Sequence, residues 1–172
     1  MNRITLLCFT LLLHLFAHTQ IGKRFPSERK VIKDPVTGTP LVFLTSTPMG
    51  DSKIYPTHNQ WTSDGQWIIF RSGRVKGEVM AVHERSGDMV QVSEGGYTGM
   101  LNVARKSMKL YYMRRTDTSK RGSALQVIET DLARLLADSK TGRLQTANVY
   151  QRVCGTIPAD PGVGGDMGAG RR

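Results

Sequence analysis

The stretch that decides the fold of this chain reads His58-Asn59-Gln60-Trp61-Thr62-Ser63-Asp64-Gly65-Gln66-Trp67-Ile68-Ile69-Phe70-Arg71-Ser72. A short strand ending near Trp61 is predicted to enter a tight turn at residues 62–65, where a glycine adopts positive φ without steric cost. Four apolar residues follow at 67–70, whereas a strand with one face in water would alternate. The stretch therefore predicts a strand that is buried on both faces. A blade of an antiparallel β-propeller has such strands, because each blade lies between its neighbours.

Turn signals and short apolar runs continue on both sides of this stretch. Residues 21–34 are polar and basic, which predicts a segment extended across the outside of the fold. A strand at 41–45 precedes the central stretch, and strands at 78–83 and 89–92 follow it. Glu94-Gly95-Gly96-Tyr97 ends this unit. Short strands joined by hairpins in this order predict one four-stranded blade.

The pattern then begins again. Strands are predicted at 100–104, 109–114 and 124–130, a short helical insertion at 131–138, and a last strand at 144–153. Aligning Ile68-Ile69-Phe70-Arg71 with Tyr111-Tyr112-Met113-Arg114 gives an offset of 114 − 71 = 43 residues. That offset matches the ~40–45 residue period of four-stranded blades. The predicted fold class is therefore all-β, a β-propeller with about two blades, and residues 149–157 are the candidate start of a third.

Two blades do not close a ring, which ordinarily takes ~4–8 of them. We therefore interpret the chain as the N-terminal part of a longer propeller, because open blades expose apolar faces and unpaired edges. An oligomer that completes the ring is the alternative. The predicted domains are blades at 21–160 and a glycine-rich tail or truncated blade at 161–172.

Residues 1–20 predict a secretory signal peptide. Arg3 supplies the positive start, and residues 4–16 form an apolar run that is too short to span a bilayer comfortably. An uncleaved N-terminal anchor is the alternative. The predicted location is therefore outside the cytoplasm, in a periplasm or the extracellular space. Cleavage would leave Cys154 as the only cysteine, so no intramolecular disulfide is expected.

The formal net charge of +10 favours polyanionic partners. Behind an export signal, an acidic polysaccharide or an anionic cell surface fits better than nucleic acid. The basic residues are scattered along the chain rather than grouped with aromatic residues on one element. A basic, solvated surface is the alternative interpretation.

Three motifs together resemble the opening of an oligogalacturonate lyase, a propeller enzyme related in architecture to TolB-like propellers. They are Asp34-Pro35-Val36-Thr37-Gly38, the stretch from His58 to Phe70, and Glu94-Gly95-Gly96. The resemblance implies β-elimination on galacturonate oligosaccharides derived from pectin. In that family a basic side chain removes the proton at C5, while manganese stabilises charge at the neighbouring carboxylate.

The family's metal ligands and its base lie on later blades, and no position of this chain matches them. The resemblance therefore implies a manganese cofactor for a longer protein, with no catalytic and no metal-binding residue in this chain. A TolB-like binding propeller without chemistry is the alternative function. A non-functional remnant, whose exposed apolar faces would aggregate, is a further alternative.

Three residues are candidates for contacts with an acidic saccharide. Arg71 and Arg114 are predicted at matching strand ends, and guanidinium groups suit bidentate recognition of carboxylates. His58 is predicted beside the innermost strand, where propellers present side chains to the central channel. The alternatives are solvated arginines and a structural, hydrogen-bonded histidine.

Other side chains suit a structural role better. His83 alternates with Val79 and Ala81, which is typical of a strand histidine. Trp61 and Trp67 could stack on sugar rings, but Trp67 lies in the predicted buried strand and is assigned to the core. No nucleophile, base and orienting group can be assembled from the sequence.

Overall fold

In the computed structural model of the chain, the described residues are 20–120 and 122–159. The predicted signal peptide and the tail at 161–172 lie outside them, except for Gln20. The elements in chain order are β1 (Arg24–Phe25), β2 (Lys30–Lys33), β3 (Pro40–Phe43), β4 (Ser52–Lys53), β5 (Trp67–Arg71), β6 (Val79–His83), β7 (Met89–Gln91), β8 (Thr98–Val103), β9 (Lys109–Arg115), β10 (Leu125–Asp131), α1 (Leu132–Thr141), α2 (Ala147–Tyr150) and β11 (Gln151–Ile157).

The strands form two larger antiparallel sheets and one hairpin. The first sheet has the order β1-β7-β6-β5-β4, and the second has the order β11-β10-β9-β8. The hairpin pairs β2 with β3. The prediction of a mostly β chain built from short antiparallel strands is confirmed.

Strand β5 is covered on both faces, as its uninterrupted apolar sequence predicts. Ile69 belongs to the main core, and Trp67 packs against the same core. Phe70 belongs to a second, smaller apolar cluster on the opposite face, against which Ile68 packs. The turn before β5 is also as predicted, because Gly65 has φ 68° and donates its N–H to the Thr62 carbonyl at 2.9 Å.

The main core lies between the two sheets. Its residues from the first sheet include Ile69, Val79 and Val90, and those from the second include Leu101, Tyr112 and Ile128. All six are nearly or fully buried, with Tyr112 the most exposed of them at 2%. The sheets therefore pack face to face through side chains of alternate strand positions.

The predicted strand ending near Trp61 is wrong in extent. Trp61 makes only an isolated bridge to Ile68, and the rest of that edge of β5 is paired with β4. Between them the chain turns at Tyr55-Pro56-Thr57-His58, where the N–H of His58 donates to the Tyr55 carbonyl at 3.0 Å. Because Pro56 has no N–H and fixes its own φ, it favours this break over a continuous strand.

The prediction for residues 21–34 is wrong at the start of the segment, whereas residues 23–34 are exposed or half-buried as predicted. Ile21 is fully buried in the main core, and β1 pairs with β7 at the outer edge of the first sheet. The strand predicted at 41–45 lies at Pro40–Phe43 and pairs with β2 outside both larger sheets. Strands β1 and β2 are short and are polar or mixed in sequence, so their apolar pattern is too brief to reveal a strand.

An arginine holds the hairpin region to the first sheet. The Arg74 side chain is 4% exposed and pairs with Glu28 at 2.7 Å and with Asp51. Burial opposes ionisation of Glu28, but hydrogen bonds from Arg74 and from the backbone of Thr47 and Ser46 lower its pKa to about 2. Arg74 therefore joins the segments that carry Glu28 and Asp51 to its own through a largely buried network of charges.

The helical insertion is confirmed and is longer than predicted. Asp131 caps α1 by accepting from the Arg134 N–H at 3.1 Å, and Gly142 ends it in the left-handed conformation. The last strand, predicted at 144–153, lies at Gln151–Ile157, because α2 occupies residues 147–150 of that range. Tyr150 there donates to Asp138 at 2.9 Å, which ties α2 to α1.

Strand β11 completes the second sheet and does not begin a third unit. It pairs with β10 from Leu125↔Ile157 to Thr130↔Gln151. The candidate start of a third blade at 149–157 is therefore corrected. Within residues 20–120 and 122–159, no helix is long and apolar enough to cross a membrane.

Candidate functional site

The segment from Ser93 to Gly99 connects the two sheets and collects polar side chains from both of them. Gln151 accepts from the Glu94 N–H at 2.9 Å and donates to its carbonyl at 3.1 Å. The Glu94 carboxylate accepts from the Ile21 N–H at 2.8 Å. This connection, which we call the linker, is therefore fixed by groups from β11 and from the N-terminal segment.

Arg71, the last residue of β5, reaches from the first sheet to the second. Its Nη2 donates to the carbonyl of Gly99 in β8 at 3.2 Å. Its Nε is buried and has no hydrogen-bond partner among the described residues. The guanidinium therefore links β5 to β8, and its Nε–H remains a donor without an acceptor among those residues.

Arg114 reaches the same boundary from the second sheet. Its Nη1 donates to the Glu94 carbonyl at 3.3 Å, and its Nη2 donates to Gln126 Oε1 at 3.1 Å. It also packs over Gly95, where an added Cβ would lie 2.8 Å from Nη1. A glycine at this position therefore allows the arginine to lie flat against the linker.

The two arginines are not equivalent in space. Arg71 shares a strand face with Ile69, and Arg114 shares one with Tyr112, since residues two apart point the same way. Both faces contribute to the single core between the sheets. In a propeller, equivalent residues of consecutive blades point the same way around the ring, so the residue equivalent to Arg71 should point away from the first sheet. Arg114 instead points toward it. The offset of 43 residues therefore aligns the strands but pairs residues on opposite faces, and an even offset would be needed to pair residues on the same face.

His58 lies beside β8, an edge strand of the second sheet. Its Nδ1 is 3.2 Å from the carbonyl of Leu101 in β8. Because a carbonyl only accepts, Nδ1 must carry the proton, and a neutral ring then has an unprotonated Nε2. The ring of Tyr55 lies 5.2 Å away between centroids. His58 therefore contacts β8, Arg114 contacts the linker, and Arg71 contacts Gly99, where the linker enters β8.

Sequence reasoning missed Glu78, which is 8% exposed at the sheet boundary. Its carboxylate accepts from the Ser93 hydroxyl at 2.6 Å and from the Gly96 N–H at 2.9 Å. Burial raises the pKa of Glu78 above its usual 4.5, although these hydrogen bonds act in the opposite direction. Its position directly before an apolar strand was the available signal.

Sequence reasoning also missed Glu129, which is 6% exposed and lies on the face of the second sheet that points away from the core. Arg152 donates to it twice, each time at 2.9 Å, and Tyr111 donates at 2.8 Å. Lys109 Nζ lies 3.2 Å from Oε1. The hydrogen bonds from Arg152 are the main cause that lowers the pKa of Glu129 to about 2, against the effect of burial.

The described residues do not fit a manganese site. No group of three or more His, Cys, Asp or Glu side chains among residues 20–120 and 122–159 could hold a metal ion. His83 Nδ1 accepts from the Ser86 N–H at 3.1 Å, so that nitrogen is already engaged. No chemical step is therefore assigned to a metal held by this part of the chain.

No family model and no curated protein sequence matches the chain. A solved oligogalacturonate lyase in complex with manganese matches it with a TM-score of 0.59 and 18% identity, over 81% of this chain and 32% of that chain. An oligogalacturonate lyase from Vibrio parahaemolyticus matches with a TM-score of 0.54 and 17% identity, over 67% of this chain and 29% of that one.

The chain therefore spans just under a third of the length of each of these lyases. At such identity the likeness shows the fold, and the two sheets match part of a propeller-like lyase. The structural resemblance to oligogalacturonate lyases that the motifs predict is confirmed.

Proposed function

We propose that this chain supplies the first two blades of an exported β-propeller of the oligogalacturonate lyase kind. The whole protein would act by β-elimination on uronate oligosaccharides from pectin. The proposal is carried by the match of both sheets, over most of this chain, to part of two lyases. The first sheet and the second sheet would then be consecutive blades, and the Ser93–Gly99 linker would be the connection between them.

The open edges and faces of the sheets support further blades. Val153 and Ile157 on the outer strand β11 are each 48% exposed, and Met100 on the inner strand β8 is 47% exposed. Exposed apolar residues on sheet edges mark surfaces that other elements cover. In the proposed propeller, an additional blade would lie against the face that carries Glu129.

Within this proposal Arg71 and Arg114 contact the carboxylates of a uronate chain at the boundary between the blades, and Nε2 of His58 accepts from a sugar hydroxyl. Arg71 is the strongest of the three, because the hydrogen bond from Nη2 to the Gly99 carbonyl is the one side-chain bond that its guanidinium makes among the described residues. A carboxylate could accept from the remaining accessible N–H groups while Nη2 stays on that carbonyl. The base that removes the C5 proton would come from later blades, so this chain alone would not turn over substrate.

A TolB-like binding propeller without chemistry is the second candidate. It is favoured by the hydrogen bonds that His58, Arg71 and Arg114 all make to backbone carbonyls, since these give each side chain a structural role. In that case the same surface would bind a partner rather than position a substrate.

The test is a lyase assay on the longer protein encoded by an uninterrupted reading frame past Arg172. Galacturonate oligosaccharides are incubated with the wild type, Arg71→Ala and the control Lys76→Ala, whose side chain is exposed on the loop after β5. The lyase proposal expects turnover that falls about tenfold or more in Arg71→Ala and is unchanged in the control. A folded, longer protein that binds these saccharides without turning them over would favour the binding propeller.

A further inference from the structure

A cavity lies between helix α1 and the turns of the first sheet. Its volume is about 370 Å³, and it is bounded by Arg24, Gln66, Trp67, His83, Ser86, Asp88, Leu136, Ala137 and Lys140. A second cavity of about 480 Å³ shares Gln66 and His83 with it. The first cavity is found at the Trp67 end of β5, whereas Arg71 stands at the other end. None of the saccharide-contact residues proposed above lines either cavity.

His83 lines this cavity and has a defined tautomer. Its Nδ1 accepts from the backbone N–H of Ser86 at 3.1 Å. The proton of a neutral ring must therefore sit on Nε2, which makes that nitrogen a hydrogen-bond donor. The ring meets Trp67 edge-on, with the ring centroids 4.9 Å apart. This contact fixes the orientation of both rings before any ligand binds.

The charges around the cavity leave a net positive group. Arg24 and Asp88 pair at 2.9 Å and largely offset one another. Lys140, in the last turn of α1, has no acidic partner within salt-bridge distance among the described residues. The adjoining cavity carries two acidic residues, Asp64 and Glu84, against one basic residue, Arg85. An anionic group would therefore be favoured at the Lys140 end and disfavoured at the other end.

The lining thus combines an indole, an amide, a defined imidazole donor and an ammonium group in one concave site. The indole of Trp67 and the apolar atoms of Leu136 and Ala137 suit the face of a pyranose ring. Gln66 both donates and accepts, as sugar hydroxyls require. Lys140 suits a carboxylate.

We propose that this cavity is a binding site for one carboxylate-bearing pyranose, with the carboxylate at Lys140 and His83 and the sugar ring against Trp67. The assignment comes from the chemistry of the lining and does not rest on the proposed lyase activity. It adds a saccharide site at the end of the first sheet away from Arg71. A site of this kind would let the protein hold an acidic saccharide without reacting with it.

The test uses the full 172-residue chain carrying Trp61→Phe, which leaves Trp67 as the only tryptophan. Sodium galacturonate is titrated while tryptophan emission is followed, with galactose as the uncharged probe. We expect a saturable change with a dissociation constant on the order of millimolar, as befits a ligand of this size. Galactose should bind about threefold or more weakly, since it lacks the carboxylate.

Variants separate the cavity from other basic surface. In the same background, Lys140→Ala should weaken galacturonate binding about threefold or more. Lys76→Ala removes an exposed lysine beyond the Arg71 end of β5 and should leave binding unchanged. Equal unfolding midpoints show that the variants remain folded. No saturable change, equal binding of galactose, or equal effects of the two lysine variants would overturn the proposal. Turnover by the longer protein is a separate readout, so the site and the lyase proposal can fail independently.

Discussion

Arg71 and Arg114 reach the boundary between the two sheets from opposite sides. Nη2 of Arg71 donates across it to the Gly99 carbonyl at 3.2 Å, and Nη1 of Arg114 donates to the Glu94 carbonyl at 3.3 Å. The connection between the sheets is thus held by one arginine from each sheet. Backbone carbonyls at such a connection have no strand partner, so side-chain donors satisfy them.

Removing Arg71 should loosen the packing of the two sheets. Arg71→Ala is expected to lower the free energy of unfolding by about 1 kcal/mol, the usual contribution of one hydrogen bond between protein groups. Urea unfolding followed by tryptophan emission measures the change. Arg85→Ala serves as the control, because that side chain is 90% exposed and its Nε lies 3.9 Å from the Glu84 carboxylate, which makes a weak ion pair. Equal midpoints for the two variants would contradict the role given to Arg71.

Glu78 should make the fold less stable as the pH rises above 4.5. Its pKa in the folded chain is raised by burial, so the unfolded chain releases this proton first. The contribution of Glu78 to stability is therefore present at low pH and declines as the pH rises from 4.5 through the raised pKa. Glu78→Gln cannot ionise, and its unfolding midpoint should fall less than the wild type's between pH 4.5 and pH 7. The half-buried Glu84→Gln is the matched control for the loss of one carboxylate, and a Glu78→Gln variant with the wild-type slope would refute the assignment.

Glu129 should act in a lower pH window and with the opposite sign. Its folded pKa of about 2 lies below the ordinary 4.5, so its stabilisation is present above pH 4.5 and is lost as the pH falls toward 2. At neutral pH, Glu129→Gln should cost about 1–2 kcal/mol, a value reduced for the solvent around Arg152. Acid unfolding curves of the variant should be flatter between pH 4.5 and 2. Wild-type acid sensitivity in Glu129→Gln would show that the pair with Arg152 is not coupled to folding.

A matched pair of glycines tests how closely the N-terminal segment packs on the first sheet. Gly87 and Gly38 have φ of 73° and 72°, so alanine is strained equally at both. An added Cβ at Gly87 would overlap the Ser27 side chain, whereas nothing lies within 4 Å at Gly38. Gly38→Ala should cost about 1 kcal/mol and Gly87→Ala about 2–3 kcal/mol by thermal or urea unfolding. Equal costs would mean that Ser27 is not packed there.

The central strands could be predicted from the sequence because their own residues show the apolar pattern of buried strands. Trp67 to Phe70 are apolar without interruption, and each face of β5 meets its own apolar cluster. The leucines of α1 and the capping residues Asp131 and Gly142 likewise predict a helix from local pattern. Such signals depend on neighbours along the chain, so a single sequence carries them.

What the sequence could not show depends on residues far apart along the chain. Strand β1 has two residues and forms only through pairing with β7, which no local period reveals. Strand β11 follows a helix and returns to β10, so its place in the second sheet is set by pairing alone. The repeat offset likewise aligned Arg71 with Arg114 along their strands. It did not show which face of the sheet each residue occupies, because the pairing register of a strand decides that.

The candidate site was only partly accessible for the same reason. His58 was selected for its position beside an inner strand and Arg71 for its place at a strand end, and both contact β8. Glu78 and Glu129 were missed, because burial of a carboxylate depends on side chains such as Ser93 and Arg152 that come from other elements of the fold. Their role as carboxylates with shifted pKa values follows from packing rather than from sequence spacing.

The reading frame past the codon for Arg172 tests the central claim most directly. We predict that, in a confirmed transcript, it continues into further four-stranded units at intervals of ~40–45 residues, with a cluster of histidines among them. A frame that stops at Arg172 in that transcript would contradict the proposal that these two sheets are the first blades of a propeller lyase.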